Sequence, residues 1–293
     1  MHKITPHLWY DNQAVEAAET YAKMVKNSVI NNVSTIHDTP SGDCDIVSFE
    51  LARQPFMAIS AGPLFKFNPS TSFLIACNDK AEVDELWGVL SEGGKALMPL
   101  DSYPFSERYG WTDDKYGLAW QIMHVGDREI KQKIVPTLMF TGPVCGKAEE
   151  AVNFYLSIFP DSKILHTMRY EKGEGPDKEG TIKYAGFELE GYEFSAMDSA
   201  HNHGFGFNEA ISFIVKCDSQ EEIDRYWNAL SAVAESEQCG WLKDKFGVSW
   251  QIVPGAMDEM LSNGTESQIA RVTQAFLQMK KFDIAELTKA YEG

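Results

Sequence analysis

The sequence predicts an α+β protein made of two copies of one strand-and-helix module, followed by a helical tail. Three observations carry this: an ordered repeat at an offset of 130 residues, matching capped helices inside each copy, and a change of pattern near Ala256. Residues 110–123 read GWTDDKYGLAWQIM and residues 240–253 read GWLKDKFGVSWQIV, with eight of fourteen positions identical. The same offset lays Ile4-Thr5-Pro6-His7-Leu8-Trp9-Tyr10 on Ile134-Val135-Pro136-Thr137-Leu138-Met139-Phe140. With small insertions, Phe49-Glu50-Leu51 falls on Phe187-Glu188-Leu189, and Ser72-Phe73-Leu74-Ile75 on Ser212-Phe213-Ile214-Val215. The expected units are 1–127, 131–254 and a tail over 255–293.

Within a copy the elements follow in order. Ile4 to Tyr10 alternates as a strand does. Asn12 is placed to cap a helix whose inner face carries Val15, Ala18, Ala22 and Val25. Strands are expected near 28–36, 45–51 and 56–60, and a second unit begins at 72–77. Asp79 caps the next helix, with Glu82 three residues on as a capping-box partner. Val83, Leu86, Trp87 and Leu90 form its apolar stripe. Asp218 with Glu221 repeats the cap, and Ile223, Tyr226, Trp227 and Leu230 repeat the stripe. Both stripes read as core packing. Strands near 95–100, 107–111 and 118–123 close the copy. The tail reads as helices over 256–262, 266–280 and 283–291, with Ile269, Val272, Phe276 and Met279 at helical spacing.

Composition bounds the function. A net charge of −17 argues against a nucleic-acid partner, which needs a basic face to displace counterions. No apolar run reaches the ~18 residues of a membrane span. The N-terminal residues lack the pattern of a signal peptide, so a cytoplasmic location is expected. Five cysteines, odd in number and without a C-x-x-C pair, argue against a disulfide framework or a thiolate zinc site.

The strand–helix–strands unit used twice per copy resembles the βαβββ repeat of the vicinal-oxygen-chelate (glyoxalase/bleomycin-resistance/dihydroxybiphenyl dioxygenase) superfamily. The stretch Phe207-Asn208-Glu209-Ala210-Ile211-Ser212-Phe213, the element Cys239-Gly240-Trp241 and the ending F-G-V-S-W-Q-I are similar to its PhnB-like branch, often labelled 3-demethylubiquinone-9 3-methyltransferase. The resemblance spans 3–254. It implies tandem glyoxalase-like domains, each of two βαβββ units curled into a mixed-sheet cup that binds a small molecule. Many relatives hold a divalent metal there, which acts as a Lewis acid toward substrate oxygens.

Carried over by position, the first-strand ligand falls on His7 and Thr137, the intermediate one on Ser72 and Ser212, and the last-strand one on Gln121 and Gln251. Of these, His7 and Gln121 keep metal-ligand chemistry, which makes the first copy the candidate for a divalent metal. Trp111 and Trp241 are expected to line the cups. Trp120 and Trp250, one residue from the glutamines, should face the opposite way, between sheet and helix.

Three further features are weighed. His201-Asn202-His203 could chelate but reads as a solvated loop, and Glu50 and Glu188 read as solvent-facing strand positions. Gly204-Phe205-Gly206 and Gly173-Glu174-Gly175 lack the setting of a nucleotide-binding loop, so the methyltransferase label finds no support in the residues. The expected function is small-molecule binding in cups with degenerate ligand positions, with no catalytic residue assigned. The alternative is a metal-dependent lyase, isomerase, dioxygenase or transferase. The modules are expected to pair within the chain or across a homodimer.

Overall fold

The computed structural model describes residues 3–39 and 42–293. Four βαβββ-type units follow one another. The first comprises β1 (Ile4–Tyr10), α1 (Ala14–Met24), β2 (Val29–Thr39), β3 (Gly42–Leu51) and β4 (Gln54–Ser60). The second comprises β5 (Thr71–Cys77), α2 (Lys80–Leu90), β6 (Lys95–Tyr103), β7 (Ser106–Asp113) and β8 (Ala119–His124). The third comprises β9 (Ile134–Phe140), α3 (Ala148–Ile158), β10 (Lys163–Arg169), β11 (Ile182–Leu189) and β12 (Tyr192–Asp198). The fourth is one strand shorter: β13 (Ile211–Cys217), α4 (Gln220–Leu230), β14 (Trp241–Lys243) and β15 (Ser249–Pro254). The tail forms α5 (Gly255–Asn263), α6 (Glu266–Leu277) and α7 (Ile284–Glu292). Among the described residues no helix is long and apolar enough to cross a membrane.

Two mixed sheets of two units each result, as the sequence predicts, but the units are shared out across the repeats. Sheet one runs β14-β15-β13-β1-β4-β3-β2 and sheet two runs β10-β11-β12-β9-β5-β8-β7-β6. Each sheet therefore joins the first unit of one repeat to the second unit of the other. The seams are antiparallel: β1 on β13, with His7 opposite Ser212, and β9 on β5, with Thr137 opposite Ser72. Pairing of the modules within the chain thus takes the form of exchanged halves.

The helix-bearing faces of the sheets pack on each other around one shared core. Phe56 of sheet one meets Phe73 of sheet two at 5.5 Å, and Phe213 meets Phe194 at 5.1 Å. Tyr21 on α1 meets Trp120 at 5.0 Å, and Tyr155 on α3 meets Trp250 at 5.4 Å. Trp120 and Trp250 are fully buried on this side, where strand alternation puts them.

A buried aspartate ties each crossing. The Asp114 carboxylate accepts the backbone N–H of Tyr116 (2.8 Å) and Leu118 (3.0 Å), the Tyr21 hydroxyl (2.6 Å) and the Trp120 indole N–H (2.9 Å). Asp244 repeats this with Phe246 (2.9 Å), Val248 (3.0 Å), Tyr155 (2.7 Å) and Trp250 (3.0 Å). The aspartate, aromatic, glycine and tryptophan of the shared motif are thus the parts of one hydrogen-bonded turn. Its opening glycine is also fixed by packing. A Cβ at Gly110 would lie 2.4 Å from the Trp87 ring, and one at Gly240 2.5 Å from Phe282 of the tail.

Two helix caps differ from the sequence expectation. Gln13, not Asn12, stands at the N-cap of α1, without a side-chain cap bond, because Ser60 Oγ on β4 accepts the Ala14 N–H instead (3.1 Å). Ser219, not Asp218, caps α4 by accepting from Glu222 N, and Glu222 in turn accepts the Asp218 N–H. Asp79 caps α2 as expected, while Glu82 pairs with Lys133 at 2.9 Å.

The sheets end differently. Sheet two finishes in the long hairpin β6–β7, whereas sheet one stops at the three-residue β14. There the tail docks by main-chain bonds, Cys239 N to Met279 O (2.8 Å) and Gly240 N to Lys280 O (2.7 Å). Gln220 ties Phe282 and Ile284 to α4, and the tail adds a small core of its own around Val272, Phe276, Phe282 and Leu287.

Loss of one acceptor oxygen from a carboxylate that satisfies four donors should cost about 3 kcal/mol. Asp114→Asn and Asp244→Asn are each expected to lower the urea midpoint by that equivalent. Tyr21→Phe, which leaves three donors in place, should cost about 1 kcal/mol. Equal losses for Tyr21→Phe and Asp114→Asn would show that the carboxylate is not the centre of the turn.

Candidate functional site

The other face of each sheet is concave. On sheet one a cross-strand row reads Asn32, Ser48, Met57, His7, Ser212, Ser249. On sheet two the matching row reads His166, Gly186, Ser195, Thr137, Ser72, Ala119. The residues singled out by position therefore form two sets, His7 with Ser212, Gln251 and Trp241, and Thr137 with Ser72, Gln121 and Trp111. His7 and Gln121 lie on different sheets. Their expected partnership in one metal site is corrected, because the units of the first repeat enter separate cups.

The two sets share one geometry. Gln251 Nε2 donates to Ser212 Oγ (2.9 Å), and Gln121 Nε2 donates to Ser72 Oγ (2.8 Å). A tryptophan stands in register with each glutamine: Trp241 opposite Gln251 and Trp111 opposite Gln121. In sheet two the polar set closes on itself. Tyr109 Oη donates to Gln121 Oε1 (2.7 Å), and Thr137 Oγ1 bonds Ser195 Oγ (2.7 Å). Thr137, Ser195, Ser72, Gln121 and Tyr109 are all buried. The Trp111 indole nitrogen is buried without a partner.

In sheet one the centre is His7, 5% exposed, with Nδ1 buried and unpartnered. Trp241 stands edge-on to its ring at 5.2 Å, Trp9 stands edge-on to Trp241 at 6.0 Å, and Trp9 Nε1 donates to Gly62 O (2.8 Å). Burial pulls the imidazole down from its ordinary 6.5 to about 3, so it is neutral in the folded protein at pH 7.

Neither set suits a divalent metal. Among the described residues no three His, Cys, Asp or Glu side chains converge as ligands. Sheet one offers one imidazole, one hydroxyl and one amide whose N–H already donates to that hydroxyl. Sheet two offers no imidazole at the first-strand position. No carboxylate stands at any of these positions to balance a dication's charge.

A half-open chamber of about 880 Å³ lies between the concave face of sheet one and helices α5 and α6. Thr5, two residues from His7 on the same face of β1, and Met57, its register partner, line the floor. Leu261, Ile269, Ala270 and Thr273 line the roof. Lys216 on β13 forms an ion pair with Asp258 on α5.

The remaining sequence candidates fall elsewhere. His201 and His203 line an open surface pocket of about 670 Å³ with Cys145 and the Gly204–Gly206 loop. His203 Nε2 is engaged by Ser199 Oγ at 2.7 Å, and among the described residues no group of three metal-ligating side chains forms around the pair. Gly173-Glu174-Gly175 lies in the β10–β11 connection. Glu188 pairs with Lys163 at the edge of sheet two (3.1 Å), and Glu50 stands opposite Val29 and Pro55. Sequence reasoning missed Tyr109, although it directly precedes the G-W motif, and Ser195. It also missed His166, which stacks on Tyr184 at 5.3 Å and stands in the row position that Asn32 takes on sheet one.

Two sheets, each of two βαβββ-type units, give the chain a tandem glyoxalase-type fold. The chain belongs to the family described as 3-demethylubiquinone-9 3-methyltransferase, whose model matches residues 2–123 and 132–253. A PhnB protein from Bacillus cereus is similar to one module at 34% identity, over 41% of this chain and 98% of that one, with a TM-score of 0.39. Glyoxalase I from Zea mays shares the fold across both modules, with 13% identity, 88% and 96% coverage and a TM-score of 0.53. A fosfomycin resistance protein from Listeria monocytogenes, solved with Mn(II) and a dihydroxypropylphosphonic acid, is 13% identical over 40% of this chain and 87% of that one, with a TM-score of 0.32. No curated protein matches the chain.

The state of His7 gives a pH test. Unfolded, its imidazole takes a proton near 6.5; folded, it does so only near 3. Stability from this group is complete above pH 6.5 and is lost as pH falls from 6.5 toward 3, about 2 kcal/mol of it by pH 5. Relative to wild type, His7→Phe is expected to lose about 2 kcal/mol less between pH 7 and pH 5 in urea titrations. Equal losses would place a partner on the imidazole.

Proposed function

We propose that the chain is a small-molecule binding protein whose ligand occupies the chamber between sheet one and helices α5–α6, without a metal. The observation that carries this reading is the chamber itself, half open to solvent between sheet and helices. Its ~880 Å³ falls in the range of sites that enclose small ligands. Thr5, Asn32, Ser34 and Ser48 line it with groups that can hydrogen-bond a ligand, and Ile46 and Met57 add apolar surface.

Sheet two differs in this reading. Its hydroxyls and amide bond one another and the Trp111 indole N–H is left buried without a partner, so no ligand is assigned to that face. Metal-dependent chemistry finds no ligand set, and methyl transfer finds no nucleotide-binding loop, so neither is proposed.

The test is dye binding together with native mass spectrometry. Nile red, a neutral apolar dye, is expected to bind with 1:1 stoichiometry. Ala270→Trp, which fills the chamber from its roof, should weaken binding at least tenfold while leaving the urea midpoint in place. Binding untouched by this substitution would put the ligand elsewhere.

A further inference from the structure

We infer that the chamber accepts neutral or cationic ligands and rejects anionic ones, with Asp258 and Glu266 as the residues that set this preference; the inference rests on the ligand site proposed above. The ionisable residues along the chamber wall are Lys216, His37, Asp258 and Glu266. Neither basic residue is available to an anion. The Lys216 ammonium is held by the Asp258 carboxylate, and His37 Nδ1 is 2.9 Å from Asp43. Glu266, in the first turn of α6, forms no ion pair among the described residues. The wall thus carries one cation against two carboxylates, and the cation is already neutralised.

The rest of the wall is uncharged. Thr5, Asn32, Ser34 and Ser48 supply hydrogen-bonding groups from the floor, while Ile46 and Met57 supply apolar surface beside them. A molecule with an apolar body and hydroxyl, amide or amine groups matches this lining. A carboxylate, phosphate or phosphonate would lose its hydration and meet no free cation. The −17 charge of the chain adds a repulsive field at low salt.

Three dyes of one size class separate the possibilities: Nile red (neutral), acridine orange (cationic) and 1-anilinonaphthalene-8-sulfonate (anionic), titrated fluorimetrically at 0.15 M salt. Wild type is expected to bind the first two and to bind the sulfonate at least tenfold more weakly. Glu266→Gln should weaken acridine orange about two- to fivefold and leave Nile red unchanged, as removal of a solvent-exposed charge does. Asp258→Asn uncovers the Lys216 ammonium and should strengthen sulfonate binding about fivefold. Because this sulfonate also binds partly unfolded protein, the gain counts only at 1:1 stoichiometry, with the urea midpoint unchanged and Nile red binding unaltered. Sulfonate binding equal to that of Nile red in wild type, or unaltered by Asp258→Asn, overturns the charge preference while the site stands. If no dye binds, or if Ala270→Trp leaves all three unaffected, the ligand site itself fails.

Discussion

The buried carboxylate of Asp114, with its counterpart Asp244, is the constraint on which the molecule is built. Each side chain gathers two backbone amides of its own turn, an indole from the next strand and a phenol from a helix on the opposite sheet. Burial alone pushes both carboxyls above the usual range, and the four donors oppose that push. A carboxylate buried this deeply is tolerable only when its lone pairs are filled. The donors for Asp114 come from both sheets, so filling them fixes how the sheets pack. Tyr21 is carried by α1 on sheet one, and Trp120 is a strand residue of sheet two. The same crossing is made by Tyr155 and Trp250 in reverse.

This placement makes the exchange of halves between repeats a matter of packing. Each aspartate turn draws all its donors from its own repeat, but the helix and the strand that supply them lie on different sheets. The two concave faces are therefore hybrids, and the repeats can diverge without breaking the core. The difference shows at one row. His7 brings an unpaired imidazole to sheet one, where Thr137 brings a hydroxyl that Ser195 satisfies in sheet two. The core-facing row, one residue away on every strand, stays matched because volume there is fixed by close packing.

Much of the fold was legible in the sequence. Alternation and helical stripes are local patterns, and they placed most strands and helices within a few residues of where they stand. The repeat was legible because the aspartate turn needs its glycine, aspartate, aromatic and tryptophan in both copies. The reason for that need was not, since Tyr21 lies 93 residues from Asp114 in the chain. The exchange of halves was also hidden: β13 and β5 show the same alternation, so no local pattern says which of them receives β1. That ambiguity is why His7 was grouped with Gln121 rather than Gln251. The cap of α1 slipped by one residue for a similar reason, since Ser60, remote in sequence, satisfies its first turn, whereas α4 took the neighbouring Ser219 as its cap.

The chamber follows from the one place where the units differ in length. The second unit spends its residues 95–113 on the β6–β7 hairpin, which walls sheet two with strands. The fourth unit lacks the counterpart of β6, which leaves the main chain at Cys239 and Gly240 open at the sheet edge. Edge amides need partners, and residues 279 and 280 of the tail supply them. Docking the chain there carries α5 and α6 across the concave face instead of along its edge. A helix packed over a concave sheet touches its rims before its floor, so the space between is not filled. Sheet two has no such bridge and closes on its own side chains. One shortened hairpin thus accounts both for the tail being held and for the cleft between sheet one and helices α5 and α6.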